Sequence, residues 1–289
     1  MKLNNQIYAF LLITLSTALT SILAQQSLRT LSTIDAEFVC ICGEASSPYA
    51  ERVRLIHRLP SNLTPEQLER CRAFLESPLA GQPLSDLEFN GLKNELVFAL
   101  LRQREGLTEL AELLVRMSRA EETDATWRDY CVQFLGKCYP AVADMDSRRS
   151  MADALWEALE TRRASSCAGA AGRQLMSLSR SFREFPPGDV SRAALEALRA
   201  LECSDGSRCA LLQVCAVLGD AAALPDARAL ASSEGTPSGV RASAIAAVGL
   251  LGDASDLPLL ERLAAGADSL AIPARAAIAR LRAEADTHS

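Results

Sequence analysis

From about residue 47 onward, apolar positions recur at intervals of three and four along the chain, which is the spacing that lines one face of an α-helix. Leu107, Leu110, Leu113, Leu114 and Met117 are the clearest run. The pattern predicts helices over 48–59, 64–76, 85–103, 107–118, 124–138, 147–161, 166–182 and 188–201. Local chemistry sharpens several ends. Thr64 is a good N-cap, Pro65 suits the first helical position, and Gln67 completes a capping box. Gly106 breaks the chain between two helices, and Phe185-Pro186-Pro187 breaks it again. Phe38, Val39, Cys40 and Ile41 form a short β-like patch, and no longer stretch alternates as a strand would. The expectation is an all-α protein.

The last third repeats. Arg208 finds its counterpart in Arg241, 33 residues later. At the same offset Leu218 maps to Leu251, Gly219-Asp220 to Gly252-Asp253, Leu224-Pro225 to Leu257-Pro258, and Leu230 to Leu263. A third start falls at Arg275. A period of this length marks stacked helix pairs. Small residues in each first helix let two helices approach closely. Gly219 and Gly252 are expected to stop that helix in the left-handed conformation. Asp220 and Asp253 can accept backbone N–H bonds at the next turn. Pro225 and Pro258 fit the first turn of the second helix. Arg208, Arg241 and Arg275 are expected to tie neighbouring units through carboxylates or loop carbonyls.

These residues, with Gly239-Val240-Arg241, Ala246-Ala247, Leu260 and Leu263, resemble the HEAT repeats, in the short Ala-rich variety noted in phycobilin lyases. The resemblance covers residues 206–282. It implies a right-handed α-solenoid of antiparallel helix pairs, a HEAT-like superhelix used mostly to bind proteins. The organisation expected is a leader over 1–24, a polar irregular linker over 25–46, divergent helical hairpins over 47–205, repeats over 206–285 and a frayed tail over 286–289.

The leader is read from Lys2 followed by a charge-free stretch, Ile7 to Ala24, that turns polar at Gln25. Cleavage after Ala24 would release a periplasmic or extracellular protein; a retained membrane anchor is the alternative. Nine cysteines then matter, because an oxidising compartment permits disulfides and an odd number leaves one thiol unpaired. Cys203 and Cys209 flank a short turn and are the candidate disulfide pair. Cys131 and Cys138 are too far apart on one helix to bridge. Cys40-Ile41-Cys42 is a weak metal signal without a second pair.

Composition removes other classes. Thirty basic against thirty-six acidic residues, a formal charge of −6, makes nucleic acid an unsuitable partner. Two histidines, His57 on a charged helix and His288 near the end, leave little for a triad or a His-based metal site. Glu105, Glu109, Glu112, Glu121 and Glu122 read as a solvated face. Gly169 and Gly172 read as close helix packing, and Asn62-Leu63-Thr64 matches a glycan sequon. No catalytic, cofactor-binding or metal-ligating set is assigned and no cofactor is expected. The functional expectation is an exported, non-catalytic scaffold for protein partners. The alternative is an enzyme or cofactor-handling protein using a thiol such as Cys40, Cys42 or Cys167, or a relative of the phycobilin lyases. That alternative requires a solvent-reachable cysteine whose pKa is depressed by a neighbouring Arg or His.

Overall fold

The computed structural model describes residues 36–42, 47–79, 84–266 and 269–287, with the side chains of 284–287 left aside. The expected leader, most of the linker and His288 lie outside these residues. All regular structure among the described residues is helical. The chain forms two compact units that divide at Gly106. Gly106 takes φ +80°, a conformation that only glycine adopts without strain.

The first unit holds α1 (36–42), α2 (Tyr49–Arg58), α3 (Pro65–Glu76) and α4 (Asp86–Leu100). α1 corrects the expectation of a linker with a β-like patch. Phe38 and Ile41 are spaced by three, share a helix face and are fully buried. Their aromatic and β-branched character suggested a strand in a run too short to show periodicity. The Thr64 capping box forms as expected, with Thr64 Oγ1 accepting from Gln67 N and Gln67 Oε1 accepting from Thr64 N. Ser85 and Glu88 make a second such box at α4. α4 packs on α2 and α3, and Phe74 meets Phe89 edge-on at 5.3 Å. Gln103 closes the unit by bonding Leu63 N and the Pro60 carbonyl.

The second unit begins with α5 (Leu107–Arg119), α6 (Ala125–Cys138), α7 (Met145–Thr161), α8 (Cys167–Leu178), α9 (Pro187–Arg199) and α10 (Asp205–Val217). It continues with α11 (Leu224–Ser232), α12 (Ser238–Leu251), α13 (Leu257–Ala264) and α14 (Ala271–Thr287). Each helix packs on its hairpin partner, and α6, α8, α10, α12 and α14 pack on one another in that order. The result within this unit is a solenoid-like layer of stacked helices with a second layer beside it.

Glycine makes the stacking close. A Cβ on Gly169 would lie 2.8 Å from Ser207 Cα and 2.9 Å from Ala210 Cβ, so α8 and α10 touch backbone to backbone. Gly136 faces Gln174 of α8, and Gly249 faces Ala277 of α14 in the same way. The small-residue reading of Gly169 and Gly172 is thereby explained: they sit at a helix crossing. α14 buries Ala274, Ala277, Ile278 and Leu281 inward and leaves Arg275, Arg280 and Arg282 exposed.

The repeat signature has visible roles. Gly219 takes φ +74° and ends α10. Gly252 differs from the expectation: its φ is −83° and its backbone is extended. It is small for another reason, since a Cβ there would meet Asp256 Oδ2 and lie 2.6 Å from the Val248 carbonyl oxygen. Asp220 accepts from Ala222 N at 3.0 Å, and Asp253 from Ser255 N at 2.8 Å. Each starts a three-residue 3-10 turn that feeds α11 or α13, with Pro225 and Pro258 in the first turn of those helices. Arg241 donates to the Ala231 carbonyl at 3.2 Å, Arg208 lies 3.8 Å from Asp205 of its own helix, and Arg275 is exposed. A different arginine series carries the ties between hairpins. Arg199 bonds Asp226 at 2.8 Å, and Arg228 grips the buried Asp256 through Nε at 2.6 Å and Nη2 at 2.9 Å.

Candidate functional site

The nine cysteines separate by environment. In the second unit Cys138 and Cys215 are fully buried, and burial pushes both thiols up to about 12. Burial also raises Cys167 and Cys203 above the ordinary thiol range. Such thiols are protonated and poorly reactive. Cys203 sits in the turn before α10 and Cys209 within it; both are unbridged here. Cys131 is buried in α6. Cys167, one of the thiols named as an enzymatic candidate, therefore lacks the required environment.

The first unit differs. Cys40 and Cys42 lie in α1, two residues apart, so they point to nearly opposite sides of the helix. A C-x-C in this conformation cannot present both sulfurs to one metal. Among the described residues no group of three or more His, Cys, Asp or Glu side chains is placed to hold a metal ion. Cys42 instead lies close enough to Cys71 of α3, which is completely buried, for each thiol to shift the ionisation of the other. Cys42 itself is half-buried, within reach of solvent.

Two arginines surround this pair. Arg52 of α2 is 1 % exposed. Its Nε and Nη2 both donate to the Ile41 carbonyl oxygen, at 3.1 and 2.5 Å. Its guanidinium lies 5.4 Å from the centre of the Phe74 ring. Among the described residues it makes no ion pair with a carboxylate; the acidic groups that favour its charge are Cys42 and Cys40. Arg70 of α3 lies 5.8 Å over the Phe38 ring and also acts on Cys42. α1 is thus fixed by Phe38, Ile41 and the grip on the Ile41 carbonyl, and α2 and α3 deliver the cations.

The electrostatic consequence follows from these contacts. Hydrogen bonding from the Cys71 thiol lowers the Cys42 pKa, and the charges of Arg52 and Arg70 lower it further, against an opposing contribution from burial. Cys71 moves the opposite way, raised by its bond to Cys42, by burial and by the Cys42 charge. Of the two thiols, Cys42 is therefore the one that ionises more readily, and Cys71 keeps its proton. A thiolate that reaches solvent beside a buried thiol can attack a disulfide and be resolved by its neighbour.

The expected sites that fall elsewhere have ordinary roles. His57 bonds Glu95 at 2.6 Å on an exposed face. Glu105, Glu109, Glu112, Glu121 and Glu122 are all exposed, as a solvated face requires. Cys71 and Arg52 were not singled out in the sequence. The signal for Cys71 is its position on the buried stripe of α3 with Leu68 and Leu75, a stripe that any small apolar residue would satisfy. Arg52 is one of three arginines in α2 and nothing local distinguishes it from Arg54 or Arg58.

A comparison with models of known protein families gives no match, and a comparison with curated proteins gives none either. Among solved structures, the chain is similar to human deoxyhypusine hydroxylase, determined in complex with glycerol. The identity is 16 %, the match covers 89 % of this chain and 98 % of that one, and the TM-score is 0.36. At that score it assigns no chemistry to this chain. It does correct the expectation of a non-catalytic scaffold, because that expectation inferred the lack of catalysis from the helical-repeat frame, and the similar structure is an enzyme.

Proposed function

We propose that this chain is a thiol-dependent enzyme whose first unit performs thiol–disulfide exchange through Cys42 and Cys71. The observation that carries this reading is the half-buried Cys42, ionised more readily than an ordinary thiol, against a buried partner thiol and two guanidinium groups. Cys42 thiolate attacks one sulfur of a substrate disulfide, forming a mixed disulfide and releasing the other sulfur as a thiolate. The Cys71 sulfur then attacks Cys42, giving its proton to the departing substrate thiolate. The products are a Cys42–Cys71 disulfide and two substrate thiols, a balanced two-electron exchange. Arg52 and Arg70 hold the negative charge on Cys42 before the first step and whenever Cys42 is displaced.

The finer assignments remain proposals beside this one. The 33-residue repeat and its Gly-Asp and Leu-Pro pairs support membership of the short HEAT variety. Residues 7–24 support export, which would place the pair where disulfides persist. A protein partner for the repeat layer is supported by the general use of such layers.

The test uses the reduced full-length chain and oxidised glutathione, with alkylation and peptide mass spectrometry. The expected product is a Cys42–Cys71 disulfide; Cys71→Ser should trap glutathione on Cys42, and Cys42→Ser should abolish uptake in the first unit. First reaction at any of the other cysteines, or no reaction at Cys42, would overturn the assignment.

A further inference from the structure

Arg52 carries a buried charge that has to be balanced. A guanidinium taken out of water is tolerated only where an anion or several acceptors compensate it. Its acceptor is the Ile41 carbonyl, and its ring contact is Phe74. Both are neutral. Among the described residues no carboxylate pairs with it; the ionisable groups that act on it are thiols. The groups around the thiol pair are Cys40 on α1, Arg52 on α2, and Arg70 and Arg72 on α3.

The compensation from Cys42 exists in only one redox state. With both thiols reduced, Cys42 is the group of the pair that ionises, and its charge acts on the buried Arg52. In the disulfide both sulfurs are neutral, and of the thiols that act on Arg52 only Cys40 remains. Arg52 therefore stabilises the reduced form relative to the disulfide. A dithiol whose reduced form is selectively stabilised is an oxidising couple.

We infer that Arg52 makes Cys42–Cys71 a disulfide donor, so that the physiological substrate is a dithiol that leaves oxidised. This rests on the thiol–disulfide reading above and gives it a direction. A substrate thiolate attacks Cys42 Sγ of the disulfide, the Cys42–Cys71 bond breaks, and Cys71 departs and is protonated. The second substrate thiolate attacks the substrate sulfur of the mixed disulfide, and Cys42 departs as a thiolate facing Arg52. The substrate gains one disulfide, the protein gains two electrons, and a small external disulfide such as oxidised glutathione recharges the pair. Displacement of Cys42 is the step the guanidinium favours, because a stabilised thiolate leaves faster. Arg52 does not touch the substrate in this scheme; it is a positioning residue for charge.

The experiment equilibrates the full chain with graded ratios of reduced to oxidised glutathione. The Cys42–Cys71 disulfide is then quantified by acid quench, alkylation and mass spectrometry. Arg52→Gln should raise the equilibrium constant for disulfide formation at least about tenfold, about 30 mV toward reducing potential for a two-electron couple. Arg52→Lys keeps the charge and should stay within about threefold of the wild type on the same scale. A folded Arg52→Gln chain with an unchanged or lower constant would overturn the inference while leaving the exchange reading in place. Should Arg52→Gln lose its helical circular dichroism, the exposed Arg70→Gln carries the test: a shift of the same sign supports the charge argument, and an unchanged constant overturns it. If the wild-type chain forms no Cys42–Cys71 disulfide at any ratio, the exchange reading itself fails.

Discussion

Replacing Gly169 by Ala tests how closely the stacked helices approach. The new Cβ would lie 2.8 Å from Ser207 Cα and 2.9 Å from Ala210 Cβ, and the nearer of these is backbone that no rotamer change can move aside. α8 and α10 must separate by several tenths of an ångström, and the bond from Gly169 N to Ser207 Oγ at 3.0 Å stretches with them. Overpacking of this kind costs about 1–3 kcal/mol, and the better helix propensity of Ala returns at most ~1 kcal/mol. The net expectation is a loss of about 1–2 kcal/mol. Gly188 is the matched control. It occupies the first turn of α9, as Gly169 does of α8, and a Cβ there meets nothing within 4 Å. Gly188→Ala should be neutral or stabilising by up to ~1 kcal/mol. A gap of about 2 kcal/mol between the variants corresponds to roughly 4–8 °C in melting temperature for a unit of this size. Trp127 and Trp156, the only two tryptophans, both belong to the second unit, so their fluorescence follows its melting without contribution from the first. Equal melting temperatures for the two variants, or a more stable Gly169→Ala, would refute the close crossing.

Alkaline conditions should weaken the second unit. Cys138 and Cys215 titrate at about 12 when folded and near the ordinary thiol value when unfolded. The folded state then holds protons that the unfolded state has released, so stability is intact below about pH 8.5 and falls as pH rises toward 12. The tryptophan-detected urea midpoint should drop over that window, less steeply in a Cys138→Ala, Cys215→Ala double variant; an identical slope would refute the assignment. Arg228→Ala leaves Asp256 buried without its partner and should cost about 2 kcal/mol in urea titration, the half-exposed arginine side moderating the ~3–5 kcal/mol of a fully buried pair. Thr64→Ala removes one half of the α3 capping box and should cost about 1 kcal/mol, seen as faster amide exchange over residues 65–68, with Thr64→Ser restoring it.

Most helices were readable because their signals are local. Thr64, Pro65 and Gln67 announce α3 within four residues, and the Asp-Leu-Pro order after Gly219 and Gly252 marks the turns between repeat helices. α1 was not readable, because seven residues with one aromatic and one β-branched anchor are too few to show a period. The function of Gly252 was misassigned for a related reason: the same letter serves backbone conformation at Gly219 and bare space at Gly252, and only the position of Asp256 separates them. The thiol site was half readable. Cys40 and Cys42 stand out as a pair, yet the partner that changes Cys42 lies 29 residues away on another helix. What lowers Cys42 is first the neighbouring Cys71 and then the charges of Arg52 and Arg70, all of which are placed by tertiary packing. The scaffold expectation failed at a different level, since repeat architecture describes how surfaces are stacked and is silent on reactivity.

The outward side of α14 has a consequence for self-association. A stack whose last layer showed aliphatic side chains would welcome another hairpin, including one from a neighbouring molecule, and filaments would follow. Here that side presents Arg275 and Arg280 beside the exposed Ile272, while Arg282 pairs with Glu261 of α13 at 2.7 Å. Docking a further copy on that side would strip water from the Arg275 guanidinium, a desolvation cost that an all-aliphatic side would not carry.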